Sequence, residues 1–509
     1  MVGLGARRWW ALAALVLGVL TVGLDATVLN VALPTLAAAL HADTAGLQWI
    51  VDAYILVFAG LLLPAGALGD RYGRKRLLMV GLALFGAASA TATAAGSTGQ
   101  LIAARAVMGI GAAILLPVVV AVLPVLFPPH ERAKAIAVGA AGMALGLPLG
   151  PIVGGWLLDR FWWGSVFLIN LPVVALALAA VAVLVPESRD PAPPRPDLVG
   201  AGLSTLGLVA LVYGLIQAPD RGWGDGVVLG MLSVGLLLLV AFASWARRAR
   251  DPMVDLGLFG RRRFLFGTLA MTVASFTLFG LLFVLPQYFQ AVGGSDALGS
   301  GVRLLPLIGG LVAGARGSAT VTARVGSRVP IVVGLALIAG GLAVGATTTA
   351  GSGYGPAACW LPVVGLGAGL VLAAAMDAVL SELPVARAGA GTAVTMAVRQ
   401  VGGALGVAVL GSVLAGVYTD RLEVGGLPEP AVRVARQSVN VAMVLARRLS
   451  DPALAASAQV AYTHAMDLVL ACCAAVALAG AVLIAVLMPA RGAAPQPSEA
   501  SDHEPAPVT

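Results

Sequence analysis

The segment "GALGDRYGRKRLL", residues 66–78, joins two long apolar runs and concentrates glycine, one acid and several cations in a short connector. Glycine permits tight turns and close approach of neighbouring helices. Asp70 can accept hydrogen bonds from arginine and from the N-terminus of a nearby helix, where negative charge is favoured. Because this charged turn separates two hydrophobic runs, we first ask whether such runs are membrane-spanning helices.

Apolar residues dominate the whole chain. Of its 509 residues 59% are hydrophobic and 11% are charged, whereas a soluble domain carries about 25% charged residues. A bilayer-crossing helix needs roughly 20 apolar residues. Fourteen such runs are present, at 9–36, 50–68, 77–95, 101–126, 135–158, 166–185, 198–216, 227–245, 264–289, 302–321, 329–346, 357–380, 391–417 and 465–488. We therefore expect an all-α polytopic membrane protein, whose first run is too long for a cleaved signal peptide.

The positions of the cations predict the orientation of the chain. Most of them fall in connectors on one side of the membrane, including Arg7, Arg8, residues 70–76, 130–134, 187–197 and 245–264, Arg316, Arg324, Arg328, Arg387 and Arg491. Cytoplasmic loops collect Lys and Arg, so both termini are expected in the cytoplasm of a multi-pass protein of the cell membrane. The net charge of +7 is explained in this way, and no nucleic-acid partner is expected.

Enzyme and metal motifs are missing from the sequence. The three cysteines lie in apolar runs, the four histidines are far apart, and neither HExxH nor GxxxxGK[ST] occurs. We expect no metal, no cofactor and no enzymatic activity.

Two short echoes predict an internal repeat. "GDRYGRKR" at 69–76 matches "TARVGSRV" at 322–329, and "PHERAKA" at 129–135 matches "PVARAGA" at 384–390, at offsets of 253 and 255. The second copy has Ala323 in place of Asp70. Related halves suit a transporter that exposes a central site to each side in turn.

The expected domains follow from this repeat. They are an N-terminal six-helix bundle (1–190), two inserted helices with flanking loops (191–260), a C-terminal six-helix bundle (261–488) and a disordered tail (489–509). The C-terminal bundle contains a long outer loop, 418–464, whose near-helical middle is expected to pack on the outer surface.

Four segments resemble signatures of the major facilitator superfamily. The segment at 66–78 resembles its loop 2–3 motif, and "LIAARAVMGIGAAILLP" (101–117) its fourth-span motif. "GMALGLPLGPIVGGW" (142–156) resembles the fifth-span antiporter motif, and "LDATVLNVALP" (24–34) the first span of the fourteen-span drug:proton antiporters. The loop motif matches at Gly66, Gly69, Asp70, Arg71, Gly73, Arg74 and Lys75, and the antiporter motif at Gly142, Gly146, Gly150, Pro151, Gly154 and Gly155.

The resemblance implies two pseudo-symmetric six-helix bundles with two inserted helices, fourteen in all. It also implies a secondary active transporter that exports lipophilic, cationic drugs or antibiotics in exchange for protons, as a monomer. An alternative is a proton-coupled transporter of an endogenous metabolite or natural product, and a distant one is a non-transporting membrane sensor. The loop motif would hold the halves together in one state. The glycine stripe would pack at the interface between the halves, or serve as ordinary small-residue packing.

Charged groups at membrane depth are the candidates for proton or cation coupling: Asp25, Asp52, Asp377 and Arg105. A buried carboxyl is penalised in its charged form and can therefore carry a proton. Asp25 is the leading candidate, with packing through Thr27 and Asn30 as its alternative.

The other candidates carry alternatives of their own. Asp52 lies near an outer helix end, where a role in substrate entry is equally open, and Asp377 lies about seven residues from the cytoplasmic end of its span. Arg105 either faces the interior with a partner or reaches the outer interface. Arg399 is expected to anchor the start of its span.

Overall fold

The computed structural model describes residues 4–40, 44–189, 197–250, 252, 255–383, 388–425, 427–437 and 439–489, and these fold almost entirely as helices. Thirteen helices among them are long and apolar enough to cross a membrane. The remaining expected run, 135–158, lies in a helix of 32 residues, Pro129–Arg160. The all-helical fold predicted from the sequence is confirmed. Residues 490–509 of the predicted tail lie outside the described part.

The first seven helices cover the N-terminal part of the chain. They are α1 (Leu4–Leu40), α2 (Thr44–Tyr72), α3 (Arg74–Thr93), α4 (Thr98–Leu126), α5 (Pro129–Arg160), α6 (Ser165–Leu168) and α7 (Asn170–Leu184). Local sequence explains several helix ends. The Ser97 hydroxyl accepts a hydrogen bond from the backbone N–H of Gln100 and so caps α4. Proline opens α5 at a position where no intrahelical N–H is needed.

The inserted helices and the C-terminal part follow. They are α8 (Leu198–Arg221), α9 (Gly226–Arg248), α10 (Arg262–Gln287), α11 (Ala297–Arg303), α12 (Leu305–Val325), α13 (Arg328–Gly345), α14 (Gly355–Ser381), α15 (Ala388–Arg421), α16 (Glu429–Gln437), α17 (Val439–Leu449) and α18 (Pro452–Leu487). A single π-helical turn at 288–292 continues α10. Such turns are frequent at functional sites.

Two pairs of helices are packed in the same way. Helix α5 lies along α1, and α15 lies along α10. An ideal Cβ at Gly146 would lie 2.7 Å from the backbone N of Leu24, and one at Gly406 would lie 2.6 Å from the backbone O of Phe276. Glycine at both seams lets two backbones touch. The sequence echoes and these seams both relate α5 to α15.

Helix α8 packs against α2 on one side and α15 on the other. Val212 of α8 forms a small cluster with Leu56 and Ala59 of α2. Helix α9 packs on α8, and its outer side is apolar and exposed, with Leu236 and Leu237 at 60% and 68% exposure. That side suits contact with lipid tails.

The outer loop 418–464 is largely helical. Helix α15 extends to Arg421, α18 begins at Pro452, and α16 and α17 lie between them. The Tyr418 hydroxyl donates to the backbone O of Ala435 at 3.1 Å, and α17 packs on α18. The middle of this segment is helical and packs on α18, and its placement on the outer surface stays a prediction.

Candidate functional site: a buried ion pair and the charges around it

Asp25 of α1 and Arg105 of α4 form a buried ion pair. Arg105 Nη1 lies 2.5 Å from Asp25 Oδ2, and the two side chains are 2% and 0% exposed. Arg105 Nε donates to the backbone O of Ile50 at 3.1 Å. The guanidinium also lies over the ring of Tyr54, 4.3 Å from its centroid. Helices α1, α2 and α4 therefore enclose one cation and one anion away from solvent.

Both residues are coupling candidates from the sequence, and the structure places them in contact. Arg105 has a partner and does not reach the outer interface. Asp25 pairs with α4, and the Thr27 hydroxyl is directed at backbone oxygens, including that of Leu24 at 3.3 Å. The side chain of Asn30 lies outside the described residues. A buried pair lowers the cost of holding each charge at membrane depth.

Two polar groups of this site have no hydrogen-bond partner among the described residues. They are Oδ1 of Asp25 and the hydroxyl of Tyr54, both buried. A buried acceptor without a donor is costly. One oxygen of the carboxylate thus pairs with arginine, and the other has no donor among the described residues.

Asp377 lies in the last turn of α14. This helix ends at Ser381, so Asp377 is four residues from its C-terminal end, where the sequence predicted about seven. Its side chain is partly exposed and interacts electrostatically with Arg263 at the start of α10 and Arg132 at the start of α5. Asp52 lies within α2, and its side chain is outside the described part of the structure.

The 66–78 motif forms the junction between α2 and α3. Asp70 and Arg74 are buried and form an ion pair, with Arg74 Nη2 2.7 Å from Asp70 Oδ1. Gly69 touches α4, because a Cβ there would lie 2.9 Å from a methyl of Val118. Gly66 is buried in α2, and Arg71 lies over the ring of its neighbour Tyr72.

Glu187, just after α7, completes this junction and was missed from the sequence. Gly73 has φ +108, and a Cβ there would lie 2.6 Å from Glu187 Oε1. The Glu187 carboxylate accepts from the backbone N–H groups of Lys75 at 3.1 Å and Arg76 at 3.3 Å. Lys75 Nζ donates to the backbone O of Ala182 at 2.6 Å. A negative charge at a helix N-terminus is favourable. Glu187 was missed because it lies far along the chain from α3.

The glycine stripe of α5 faces α1, and the expectation that it packs between the halves is wrong for the described positions. A Cβ at Gly146 would meet Leu24, and ones at Gly142 and Gly154 would meet Val16 and Val28, all on α1. Gly150 likewise abuts α1, Gly155 faces open space, and the side chain of Pro151 lies outside the described residues. Four-residue spacing fixes one helix face but does not say which neighbour covers it.

Two arginines expected near helix ends or in loops lie within spans. Arg399 is eleven residues inside α15, which begins at Ala388, and does not anchor its start. Arg316 lies nine residues before α12 ends at Val325, although the sequence placed it with the cytoplasmic connectors. A further charge, Asp467 of α18, was overlooked; its Oδ1 is buried without a partner among the described residues.

Comparison with known proteins identifies the family. The model of the Major Facilitator Superfamily matches residues 15–407. The chain belongs to the major facilitator superfamily. It is a multi-pass membrane transporter and not an enzyme, and the resemblance seen in the sequence is confirmed.

Curated relatives in this family are resistance and export proteins. The chain is 35% identical over 438 residues to the tetracenomycin C resistance and export protein of Streptomyces glaucescens, covering 85% of this chain and 81% of the relative. It is 35% identical to the puromycin resistance protein pur8 of Streptomyces alboniger, over 81% of this chain and 82% of the relative. It is 34% identical to the multidrug efflux pump LfrA of Mycolicibacterium smegmatis, over 87% and 88%.

Solved structures support the fold. The human organic anion transporter MFSD10 aligns with a TM-score of 0.59 at 17% identity, over 94% of this chain and 99% of that one. The proton:xylose symporter XylE aligns with a TM-score of 0.59 at 15% identity, over 95% and 96%. At such identities the likeness concerns the fold alone.

Proposed function

We propose that this superfamily member exports lipophilic, cationic drugs or antibiotics across the cell membrane in exchange for protons. The export direction is supported by relatives named for resistance and export, at 34–35% identity over most of their length. The exchange with protons is supported by the buried Asp25–Arg105 pair and the unpartnered Oδ1 of Asp25. That pair is the observation that carries the proposal.

Protonation of Asp25 would remove the charge that holds Arg105. The proton binds Oδ1, the carboxyl becomes neutral, and the guanidinium is left as an uncompensated cation in a dry site. A buried cation without a counter-charge is strongly disfavoured. The transporter therefore favours a conformation in which Arg105 is hydrated or Asp25 loses its proton again. In this way, proton uptake on one side is coupled to a change of state.

A cationic substrate would compete with the same negative charges. Asp377 lies at the cytoplasmic end of α14, where a substrate leaving the cytoplasm would first meet the protein, and Arg132 and Arg263 reach it from α5 and α10. A bound cation and a bound proton both neutralise a carboxylate, and mutual exclusion of the two is the basis of exchange. The inward-directed proton gradient supplies the free energy, of which the electrical part is about 2.3 kcal/mol per charge per 100 mV.

The test uses everted vesicles energised to an acidic interior, with a pH-sensitive dye. Lipophilic cations and neutral antibiotics are added to vesicles containing wild type, Asp25→Asn or Asp377→Asn, with Glu429→Gln as control because Glu429 is an exposed acid of the outer helix α16. We expect substrate to dissipate the gradient in wild type and in the control, and one of the two aspartate variants to abolish the response. No response to any compound in wild type would contradict drug–proton exchange and favour transport of a metabolite.

We further propose that both termini face the cytoplasm and that the protein acts as a monomer. The cytoplasmic assignment is supported by the cation-rich loop at 70–76. A protease-sensitive tag at either terminus should be cut in everted vesicles and protected in intact cells. Light scattering of the purified protein should give the mass of one chain, 51.0 kDa, once detergent is subtracted.

A further inference from the structure

Helices α16 and α17 present a basic surface whose charge no acid of the described residues neutralises. Its four arginines are exposed and have no recorded ion pair: Arg433, Arg436, Arg447 and Arg448. Glu429 is the one acid in the sequence of the two helices, and it forms no recorded ion pair with Arg433, four residues further on. We call the exposed face that carries these arginines, with Val434, Val444 and Leu449 among them, the α16–α17 surface.

The neighbouring acids do not neutralise this surface. The Asp451 carboxylate accepts from the backbone N–H groups of Ala453 and Leu454, both at 3.0 Å, and so caps α18. Asp420 and Glu423 lie at the end of α15 and just beyond it, and no ion pair to α16 or α17 is recorded for either among the described residues. The α16–α17 surface therefore keeps its positive charge for an anion outside the chain.

The contacts of α16 and α17 place this surface beside the ends of membrane-spanning helices. The Tyr418 hydroxyl donates to the backbone O of Ala435 in α16 at 3.1 Å, and Tyr418 directly follows the apolar run 391–417. Helix α17 packs on the π-helical turn at 288–292, where the span of α10 ends. Lipid headgroups occupy the layer just beyond the hydrocarbon core. Both helices therefore lie at headgroup depth.

The α16–α17 surface mixes apolar and basic side chains, as helices that lie in a membrane interface do. Val444 is 47% exposed and shares one face of α17 with Arg447 and Arg448, which follow it by three and four residues. Val434 and Leu449 are exposed as well. At headgroup depth such apolar side chains contact the upper acyl chains, while the long arginine side chains reach the phosphates.

We propose that the α16–α17 surface binds the phosphate groups of anionic phospholipids. Guanidinium groups form paired, charge-assisted hydrogen bonds with phosphate oxygens, and a cluster of cations on an amphipathic helix attracts anionic headgroups. The headgroup depth of the two helices favours a lipid over an acidic protein as the anion. This recognition goes beyond the proposed export function, does not depend on it, and is the same whichever side of the membrane the segment occupies.

The test reports which lipid touches α17. The full-length protein, with Cys359, Cys472 and Cys473 replaced by alanine, carries an uncharged fluorescent dye at Asn440→Cys, because Asn440 is exposed on the same face as Val444. It is placed in nanodiscs of phosphatidylglycerol and phosphatidylcholine in equal parts. In one set the phosphatidylglycerol is brominated on the acyl chain close to the headgroup, and in the other set the phosphatidylcholine is. The two sets differ only in which lipid quenches the dye.

We expect phosphatidylglycerol to be enriched around the dye by about fivefold or more, the effect of one arginine near an anionic headgroup. Arg447→Gln/Arg448→Gln should reduce the enrichment, and replacement of all four arginines by glutamine should abolish it. Arg447→Lys/Arg448→Lys should retain most of it, since the charge stays. High salt should weaken it, because exposed charges are screened.

Controls separate this surface from general effects of charge. Arg247→Gln/Arg248→Gln removes a matched pair of exposed arginines from the last turn of α9 and should leave the enrichment unchanged. Unchanged melting temperatures should show that the glutamine variants are folded, since the arginines that they replace are exposed and unpaired.

Four results would overturn the proposal. They are no quenching by either lipid, equal quenching by both in the wild-type background, and an enrichment that persists without the four arginines. The fourth is an enrichment that inorganic phosphate removes but sodium chloride of equal ionic strength does not, which would assign the surface to free phosphate.

Discussion

At the scale of single residues, the stability of the N-terminal part depends on how Asp25 and Arg105 satisfy each other. Both side chains are buried, and each is the only charged partner recorded for the other among the described residues. Removing one member of such a pair leaves a bare charge in a medium that solvates it poorly. The measured cost of that in proteins is about 3–5 kcal/mol, whereas replacing both members is far less damaging.

We therefore predict that Asp25→Asn destabilises the purified protein by about 3 kcal/mol or more, and that the double variant Asp25→Asn/Arg105→Gln is more stable than Asp25→Asn alone. Thermal unfolding in one detergent measures both effects. Arg76→Gln serves as the control, because it breaks the Arg76–Glu187 pair, whose side chains are 77% and 37% exposed. Its cost should stay below about 1 kcal/mol. A double variant less stable than either single variant would show that the two charges do not act as a pair.

The charges themselves could be predicted from the sequence, but their partners could not. An acid or arginine inside an apolar run stands out in one dimension, as Asp25 and Arg105 do. The contact between them joins α1 to α4 across 80 residues, and that of Glu187 with Lys75 joins the end of α7 to α3 across 112. Which helices become neighbours is decided by packing, and no local spacing records it. Asp467 was missed because it lies close to a predicted span end. Until the helix boundary is known, the sequence does not say whether such an acid lies in solvent or inside the membrane.

At the scale of elements, α5 and α1 pack closely because the glycines of α5 carry no side chain that would separate the two backbones. At Gly146 a Cβ would lie 2.7 Å from the backbone N of Leu24 and 2.8 Å from the backbone C of Gly23. Backbone atoms of a packed helix cannot move aside as a flexible side chain can. The sequence predicted the smooth stripe from its four-residue spacing, and the structure supplied its partner helix.

Gly146→Ala should therefore push α5 from α1, lower the melting temperature and reduce transport, with a cost of about 1–3 kcal/mol as for other overpacked sites. Gly155→Ala is the matched control from the same motif, since nothing lies within 4 Å of its Cβ. That variant should be neutral or slightly stabilising, because alanine favours a helix more than glycine does. Similar melting temperatures for the two variants would contradict the close seam.

At the scale of the whole molecule, the exposed surface divides into two kinds. The outer side of α9 presents large apolar residues such as Leu236, at 60% exposure. The exposed face of α12 presents Gly309, Ala313, Arg316, Gly317 and Thr320. The first composition suits lipid tails, and the second is compatible with water. A transporter of this superfamily needs both kinds of surface, because its substrate passes through the protein while the outer side of the protein contacts the bilayer.

This division predicts where a water-soluble reagent can reach. With Cys359, Cys472 and Cys473 replaced by alanine, a membrane-impermeant maleimide should label Ala313→Cys in everted vesicles, whose cytoplasmic face is outward. Leu236→Cys should stay unlabelled although it is 60% exposed, because a thiol among lipid tails does not ionise, and the thiolate is the reacting form. Equal labelling at both positions, or labelling at Leu236 alone, would mean that the face of α12 is turned to lipid.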